Sequence, residues 1–122
     1  MPIAIRHDAG RLAFTCTGRL GFDDILAALK DAYARPGCGG GVKEWWDLSA
    51  CEGVVLKPDY ITRLGEFEGL QAGIHGKPRC AVYAPDPVLF GMARMYQMVW
   101  TRSPLTIRAF RDRAEAEAWL AG

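Results

Sequence analysis

Few side chains in this sequence are of the types that carry out covalent or metal chemistry. Among 122 residues there are two histidines and four cysteines. His7 is expected in a turn and His75 in a loop, and no Cys-x-x-Cys or His-x-x-x-His spacing exists, so neither a metal nor a cofactor is expected. Nucleophilic catalysis needs a serine or cysteine, a histidine base and an orienting acid. Ser49 and Cys51 follow a strand, but neither histidine is placed to serve them, and there is no Gly-x-Ser-x-Gly elbow. The paired carboxylates have structural explanations: Asp23, Asp24 and Asp86 suit helix N-termini, and Glu66 and Glu68 a solvated helix face. Gly39-Gly40-Gly41 precedes a strand and lacks a following Lys-Ser/Thr, so it reads as a flexible turn and not as a phosphate cradle. The chain is expected not to be an enzyme.

The cysteines read as reduced thiols. Cys16 and Cys80 sit in apolar runs, Cys38 in a glycine-rich turn and Cys51 in a loop. A strand between Cys38 and Cys51 would hold them roughly 20 Å apart, too far for a disulfide. The basic residues Arg94, Arg102, Arg108, Arg111 and Arg113 enrich the last third of the chain, with Tyr96, Trp100 and Phe110 among them. Tyr96 and Trp100 fall on the expected core side of their helix, and Glu115 and Glu117 dilute the charge. With 15 basic and 14 acidic residues the net charge is +1, which gives no general attraction to nucleic acid, and this region reads as solvated surface.

These residues must be positioned by a domain built from short alternating elements. Half of the sequence is hydrophobic, enough for a core, yet no apolar run approaches the roughly 20 residues of a membrane span. No stable membrane insertion is expected. Residues 2–6 and 11–17 read as strands joined at Asp8-Ala9-Gly10. Phe22, Ile25, Leu26, Leu29, Ala32 and Tyr33 repeat at helical spacing, and Pro36-Gly37 stops that helix. Val42 to Leu48 is a strand, Ser49 to Lys57 a loop, and a second helix opens at Pro58 with Tyr60, Leu64, Phe67 and Ile74 on one side. Gly65, Gly69 and Gly73 weaken it. Arg79 to Ala84 is a strand. Asp86-Pro87 starts a third helix that runs to about Arg102. Leu105 to Phe110 is the last strand, and Asp112 with Glu115 caps a final helix ending near Leu120. The order is β-β-α-β-α-β-α-β-α in a single domain over 1–122. Strands that alternate polar and apolar residues argue for a layered α/β fold with helices mainly on one face, and against a doubly wound one.

The third helix carries the binding candidates. Val88, Met92, Met95, Tyr96 and Val99 form a stripe suited to burial, while Gln97, Thr101 and Arg94 suit the outer side. Phe90 and Met98 are large apolar residues on that outer side. Together with Trp45 and Phe110 they are apolar residues without an obvious core address. They mark packing under a neighbouring element, a subunit or partner surface, or a small apolar ligand site.

Several segments resemble the bacterial SpoIIAA-like group, relatives of STAS domains. They are Cys80-Ala-Val-Tyr-Ala-Pro-Asp-Pro87, Phe90-Gly-Met-Ala-Arg-Met-Tyr96, Ile107-Arg-Ala-Phe-Arg-Asp112 and Ala116-Glu-Ala-Trp-Leu120. Trp45-Trp-Asp-Leu48 is similar to the group's third-strand segment, and Gly18 followed by Phe22-Asp-Asp24 to its turn into the first helix. The likeness covers nearly the whole chain. It implies a small mixed-sheet α/β domain and a non-enzymatic relative of anti-anti-sigma factors and of CRAL-TRIO lipid-transfer domains. STAS regulators are phosphorylated on a serine at the start of the second helix. Here that stretch reads Val55-Leu-Lys-Pro-Asp-Tyr60 with no serine, and Ser49 and Thr62 are the nearest hydroxyls on either side.

The reading that follows is a cytoplasmic, STAS-like regulatory or protein-interaction module, since the N-terminus has no signal-peptide pattern. It is expected to form a homodimer and to use Phe90, Arg94, Met98 and Ser49 toward a regulatory protein partner. The alternative is a carrier or sensor of a small lipid or other apolar ligand, held between helices two and three near the C-terminal strand ends.

Overall fold

The computed structural model describes residues 2–8, 10–35, 43–55, 57, 59–60, 62–64, 66–67, 79–99 and 106–122. Its elements are β1 (Ile3–Asp8), β2 (Arg11–Gly21), α1 (Phe22–Ala34), β3 (Lys43–Val55), helical residues at 59–60, 62–64 and 66–67 (α2), β4 (Arg79–Tyr83), α3 (Pro87–Val99), β5 (Thr106–Phe110) and α4 (Arg113–Ala121). The expectations for Pro36-Gly37, Cys38, Gly39 to Gly41, Val42, Pro58, Gly65, Glu68, Gly69, Gly73, Ile74, His75 and residues 100–105 lie outside the described residues.

The five strands form one sheet in sequential order, with β1 antiparallel to β2 and β2 through β5 parallel. That order explains the layering. Right-handed crossovers that advance steadily across a sheet drop each connecting helix on the same face. Leu29 of α1, Leu64 of α2 and Leu89 of α3 accordingly share one buried cluster with Phe14, Trp46 and Ile107. The centre of this face is a cross-strand pair, Phe14 and Trp46, stacked with ring centroids 4.1 Å apart. After the last strand the chain has no crossover to make, and α4 packs on the opposite face. There Ala116 and Leu120 bury Trp45, Ala81 and Phe110. Trp45 and Phe110 therefore do have a core address, contrary to expectation. Strand alternation alone could not show that α4 would turn back to cover them.

The helix starts follow their capping chemistry. The Asp86 carboxylate accepts from the backbone N–H groups of Val88 and Leu89 at 3.0 and 3.1 Å, with Pro87 opening α3. Asp112 accepts from the N–H of Glu115, and Asp24 reaches back to the N–H of Gly21. Substituting such a cap with alanine removes about 1 kcal/mol.

Two strands are longer than the sequence pattern predicts. β2 runs on to Gly21 and β3 to Val55, paired as Gly18↔Cys51, Leu20↔Val54 and Gly21↔Val55. Ser49 and Cys51 thus belong to a strand and not to a loop, and His7 lies within β1 and not in a turn. The pairing register shifts between Thr15 and Thr17 and again after Gly18, whose φ of 68° is a bulge conformation open to glycine. The extra residue at each shift lies in β3, whose two-residue alternation it interrupts. β2 keeps its alternation through Leu20 and is hidden as a strand only by Gly18, which reads as a turn.

Candidate functional site

The third helix is the natural starting point, because apolar residues stand on almost every side of it. Its buried face is centred on Leu89, Met92 and Tyr96, so of the expected stripe Met92 and Tyr96 are inside and Val88 and Met95 are not. Val88 and Met95, expected inside, are 71% and 51% exposed, and Met98 is 65% exposed. Phe90, expected outside, is half-buried against the core, and Gln97 turns inward so that its side-chain oxygen accepts the N–H of Ala109 on β5 at 3.0 Å. The helix is turned from the predicted face by less than the roughly 100° that separates successive residues, enough to bring Leu89 in and put Val88 and Met95 out. Polar anchoring decides this where hydrophobicity cannot: the Asp86 cap fixes one end of α3 and the Gln97 bond pins the other to the last strand.

This rotation creates two surfaces. Val88, Gly91, Met95 and Met98 lie together on the outward side, and the space above Gly91 is open. On the flank facing β5, Phe90, Arg94 and Gln97 meet Arg108, Phe110 and Arg111 along a groove of about 520 Å³. Arg94 lies 6.0 Å from the Phe90 ring centroid, and Arg108 lies 5.1 Å from that of Phe110. Arg111 donates to the backbone carbonyl of Pro85 at 3.4 Å. Among the described residues no carboxylate forms an ion pair with any of these three arginines. Asp112 and Glu115 also border the groove, with Asp112 engaged as the cap of α4.

A second groove, on the uncovered part of the opposite sheet face, has the same vocabulary but a different state. Arg11 and Arg113 lie over Trp45 at 4.6 and 5.7 Å, and Trp45 stacks on Tyr83. Here the charges are answered. Arg11 makes a two-pronged bond to Glu117 at 2.8 and 3.1 Å, and Arg113 lies 3.9 Å from Asp47. The Arg11 hydrogen bonds hold the Glu117 carboxyl below the usual glutamate range.

Between α2, α3 and the sheet lies an apolar cavity of about 100 Å³, lined by Leu20, Trp46, Leu48, Leu64, Leu89 and Met92 among others. Beside it on the same sheet face is the one strongly buried charge-bearing side chain among the described residues, Glu44, at 1% exposure. Its carboxylate accepts from the Tyr33 hydroxyl and, at 3.1 Å, from the Trp46 indole N–H. Burial drives its pKa upward, and hydrogen bonds from Tyr33, Trp46 and Cys80 oppose that rise without cancelling it.

The remaining candidates do not join these grooves. Ser49 is exposed on β3 and donates its hydroxyl to Asp47 at 2.6 Å, closing a local side-chain turn. Thr62 is exposed on α2. Cys16, Cys51 and Cys80 form no disulfide with one another, and burial pushes Cys16 up to about 12. Among the described residues no group of three His, Cys, Asp or Glu side chains is placed to hold a metal ion, and no helix is long and apolar enough to cross a membrane. The structure thus brings Phe90 and Arg94 together, leaves Met98 on the adjoining outer stripe and keeps Ser49 and Thr62 out of that groove. Sequence reasoning noted Arg108, Arg111 and Phe110 but did not place them at the site. The signal was available in part, since Arg108 and Phe110 are two residues apart and must share a strand face.

No family model matches this sequence, and no curated relative does. In structure the chain is similar to an uncharacterised protein of the DUF3478 family with a SpoIIAA-like fold from Shewanella loihica PV-4. The two are 22% identical, the match covers 97% of this chain and 91% of that one, and the TM-score is 0.58. At that identity the likeness shows the fold. The expected SpoIIAA-like α/β architecture, a mixed sheet with most helices on one face, is the observed one.

Proposed function

We propose that this chain, with its SpoIIAA-like fold, is a non-enzymatic, cytoplasmic protein-interaction module of the STAS type that self-associates as a homodimer. The observation that carries the reading is the outward stripe of α3. Val88, Met95 and Met98 are each more than half exposed and follow one another at seven and three residues, so they form one patch and not scattered surface residues. Burying each such side chain fully is worth about 1.5–3 kcal/mol. A net charge of +1 leaves little repulsion to keep two copies apart. Size-exclusion chromatography with light scattering tests the reading. Wild type is expected at the dimer mass, and a Met95→Asp/Met98→Asp variant at the monomer mass. A wild type that stays monomeric at high concentration overturns self-association.

The second reading, a carrier of a small apolar ligand, is favoured by the cavity beneath α3. Its volume of about 100 Å³ admits a short apolar group and is well below the pocket of a drug-sized ligand, roughly 300–1,000 Å³, so a whole lipid chain would require α2 or α3 to move. Native mass spectrometry after gentle purification separates the readings. A reproducible extra mass that Ala93→Phe abolishes supports the carrier, whereas bare protein weighs against it.

A further inference from the structure

We propose that the groove between α3 and β5 is a docking site for an acidic, extended peptide segment of a partner protein, held by Arg94, Arg108 and Arg111 over Phe90 and Phe110. The inference goes beyond self-association through the outer stripe of α3: it concerns a different flank of the helix and a partner of different chemistry.

The first argument is charge. Three guanidinium groups come from three places, the middle of α3, the middle of β5 and the corner between β5 and α4, and they border one groove. Among the described residues none of them is neutralised by an ion pair, although the chain carries nearly equal numbers of acids and bases. The contrast with Arg11, which is taken by Glu117, shows that this fold does pair arginines where the pairing serves packing. Arginines that neighbouring carboxylates leave unpaired are set to accept carboxylates from outside, in bidentate geometry.

The second argument is shape. The groove is wide and its arginines are exposed, whereas a small-molecule site encloses most of its ligand. It also follows β5, the last strand of the sheet, so an extended chain can run parallel to it. Charges spread along a groove match a chain with several acidic residues better than a single phosphate.

The third argument is the floor. Arg94 lies against the half-buried Phe90 ring and Arg108 against Phe110, which α4 buries, so each guanidinium is backed by an aromatic ring and Phe90 supplies the apolar area beside the charges. An aromatic or aliphatic residue between two acidic ones would rest there. Glu115, at the α4 end of the groove, would repel an acid brought too close and so sets where the peptide ends.

Fluorescence anisotropy on the full chain tests the proposal. The probe is a short fluorescein-labelled peptide alternating aspartate and glutamate with phenylalanine. A lysine-for-acid version, a single-stranded oligonucleotide and inorganic phosphate serve as competitors. Saturable binding that weakens with added salt is expected, with the acidic peptide the strongest ligand. Arg94→Glu/Arg108→Glu is expected to lower affinity at least about tenfold, Arg94→Gln/Arg108→Gln less, and Arg94→Lys/Arg108→Lys least. Met95→Gln/Met98→Gln, which removes two apolar side chains of the outer stripe without adding charge beside Arg94, is expected to keep the arginine groove functional. No binding of the acidic peptide overturns the proposal, as does binding that the arginine substitutions leave unchanged. An oligonucleotide or phosphate that competes at equal or lower concentration than the acidic peptide overturns the assignment of ligand. A wild type that is monomeric and still binds the peptide overturns only the dimer, so the two readings fail separately.

Discussion

Two regions of this small fold place arginines over aromatic rings, and they do so to different ends. On the uncovered sheet face, Arg11 and Arg113 lie over Trp45 and are met by Glu117 and Asp47. Glu117 and Arg113 both come from α4, so these contacts tie the last helix to β2 and β3. On the other flank, Arg94 and Arg108 lie over Phe90 and Phe110 with no carboxylate paired to either among the described residues. The residue types are the same; what differs is whether the chain supplies the counter-charge itself. An answered charge belongs to the architecture, and an exposed, unanswered one is available to a partner. That distinction makes stability and binding separable by mutation.

The most deeply buried carboxyl group among the described residues is that of Glu44, held by neutral donors and not by a counter-charge, and removing it should produce the largest effect. Glu44→Ala strips the buried Trp46 indole N–H and the Tyr33 hydroxyl of their shared acceptor and leaves a void, at a cost of about 3 kcal/mol or more. Glu44→Gln keeps an oxygen for Trp46 and lets the new amide donate to Tyr33, so its cost should be smaller, about 1 kcal/mol. The pH dependence has a definite sign. Burial raises the folded-state pKa above the ordinary glutamate value of 4.5, so between the two values the folded chain holds the proton more tightly than the unfolded one. Stability from this group is therefore greatest at low pH and is lost as pH rises from the unfolded value through the folded one. Urea midpoints measured across the acidic to neutral range should show that fall in wild type, and it should be absent from Glu44→Gln. An identical slope in both proteins would assign the pH dependence elsewhere.

Element types were legible in the sequence to different degrees, and the reasons are physical. The capped helices were readable because Asp86-Pro87 and Asp112 act within one turn of the chain. The tails of β2 and β3 were not: the register shifts insert extra residues into β3 and erase its alternation, while Gly18 makes the end of β2 read as a turn. The face of α3 was right at Met92 and Tyr96 and wrong at Val88, Met95 and Phe90, since residues 88, 89, 90, 92, 93, 95, 96 and 98 are all apolar or aromatic and leave no clean polar side. Gln97 settles the rotation through a bond to Ala109, a long-range contact no local pattern reveals. The candidate groove was half legible for the same reason. Phe90 and Arg94 could be named from one helix, but their meeting with Arg108 and Arg111 depends on the β4-α3-β5 crossover.

An intermediate effect is expected on the answered arginine pair. Arg11→Gln should loosen α4 by less than about 1 kcal/mol, because both partners are only partly buried and water still screens them. Its effect should shrink further at high salt. Glu117→Gln should give nearly the same loss, and the double variant no more than either single one. Additive losses in that double-mutant cycle, measured by chemical denaturation, would show that the two residues stabilise α4 independently and that the pair is not the tie described above. Because Arg11 holds the Glu117 carboxyl low, stability from this pair is present above the usual glutamate range and is lost as pH falls through the folded value, opposite in sign to Glu44.

The smallest effect on stability is expected where the effect on binding is largest. Arg94 and Arg108 are exposed and have no ion-pair partner among the described residues, so Arg94→Ala and Arg108→Ala should each change the unfolding free energy by no more than about 0.5 kcal/mol. Thermal midpoints close to wild type, beside a clear loss of acidic-peptide affinity, would place these two residues on the binding side of the comparison. A midpoint that drops as far as that of Arg11→Gln would mean the α3–β5 groove is architecture like the groove over Trp45. The distinction is sharpest at Arg108, whose guanidinium rests on the Phe110 ring. If that contact serves mainly to cover Phe110, Arg108→Ala should destabilise more than Arg94→Ala and Arg108→Met should restore the loss through packing alone. If it serves to present the charge, Arg108→Met should be as stable as wild type and as poor a binder as Arg108→Ala.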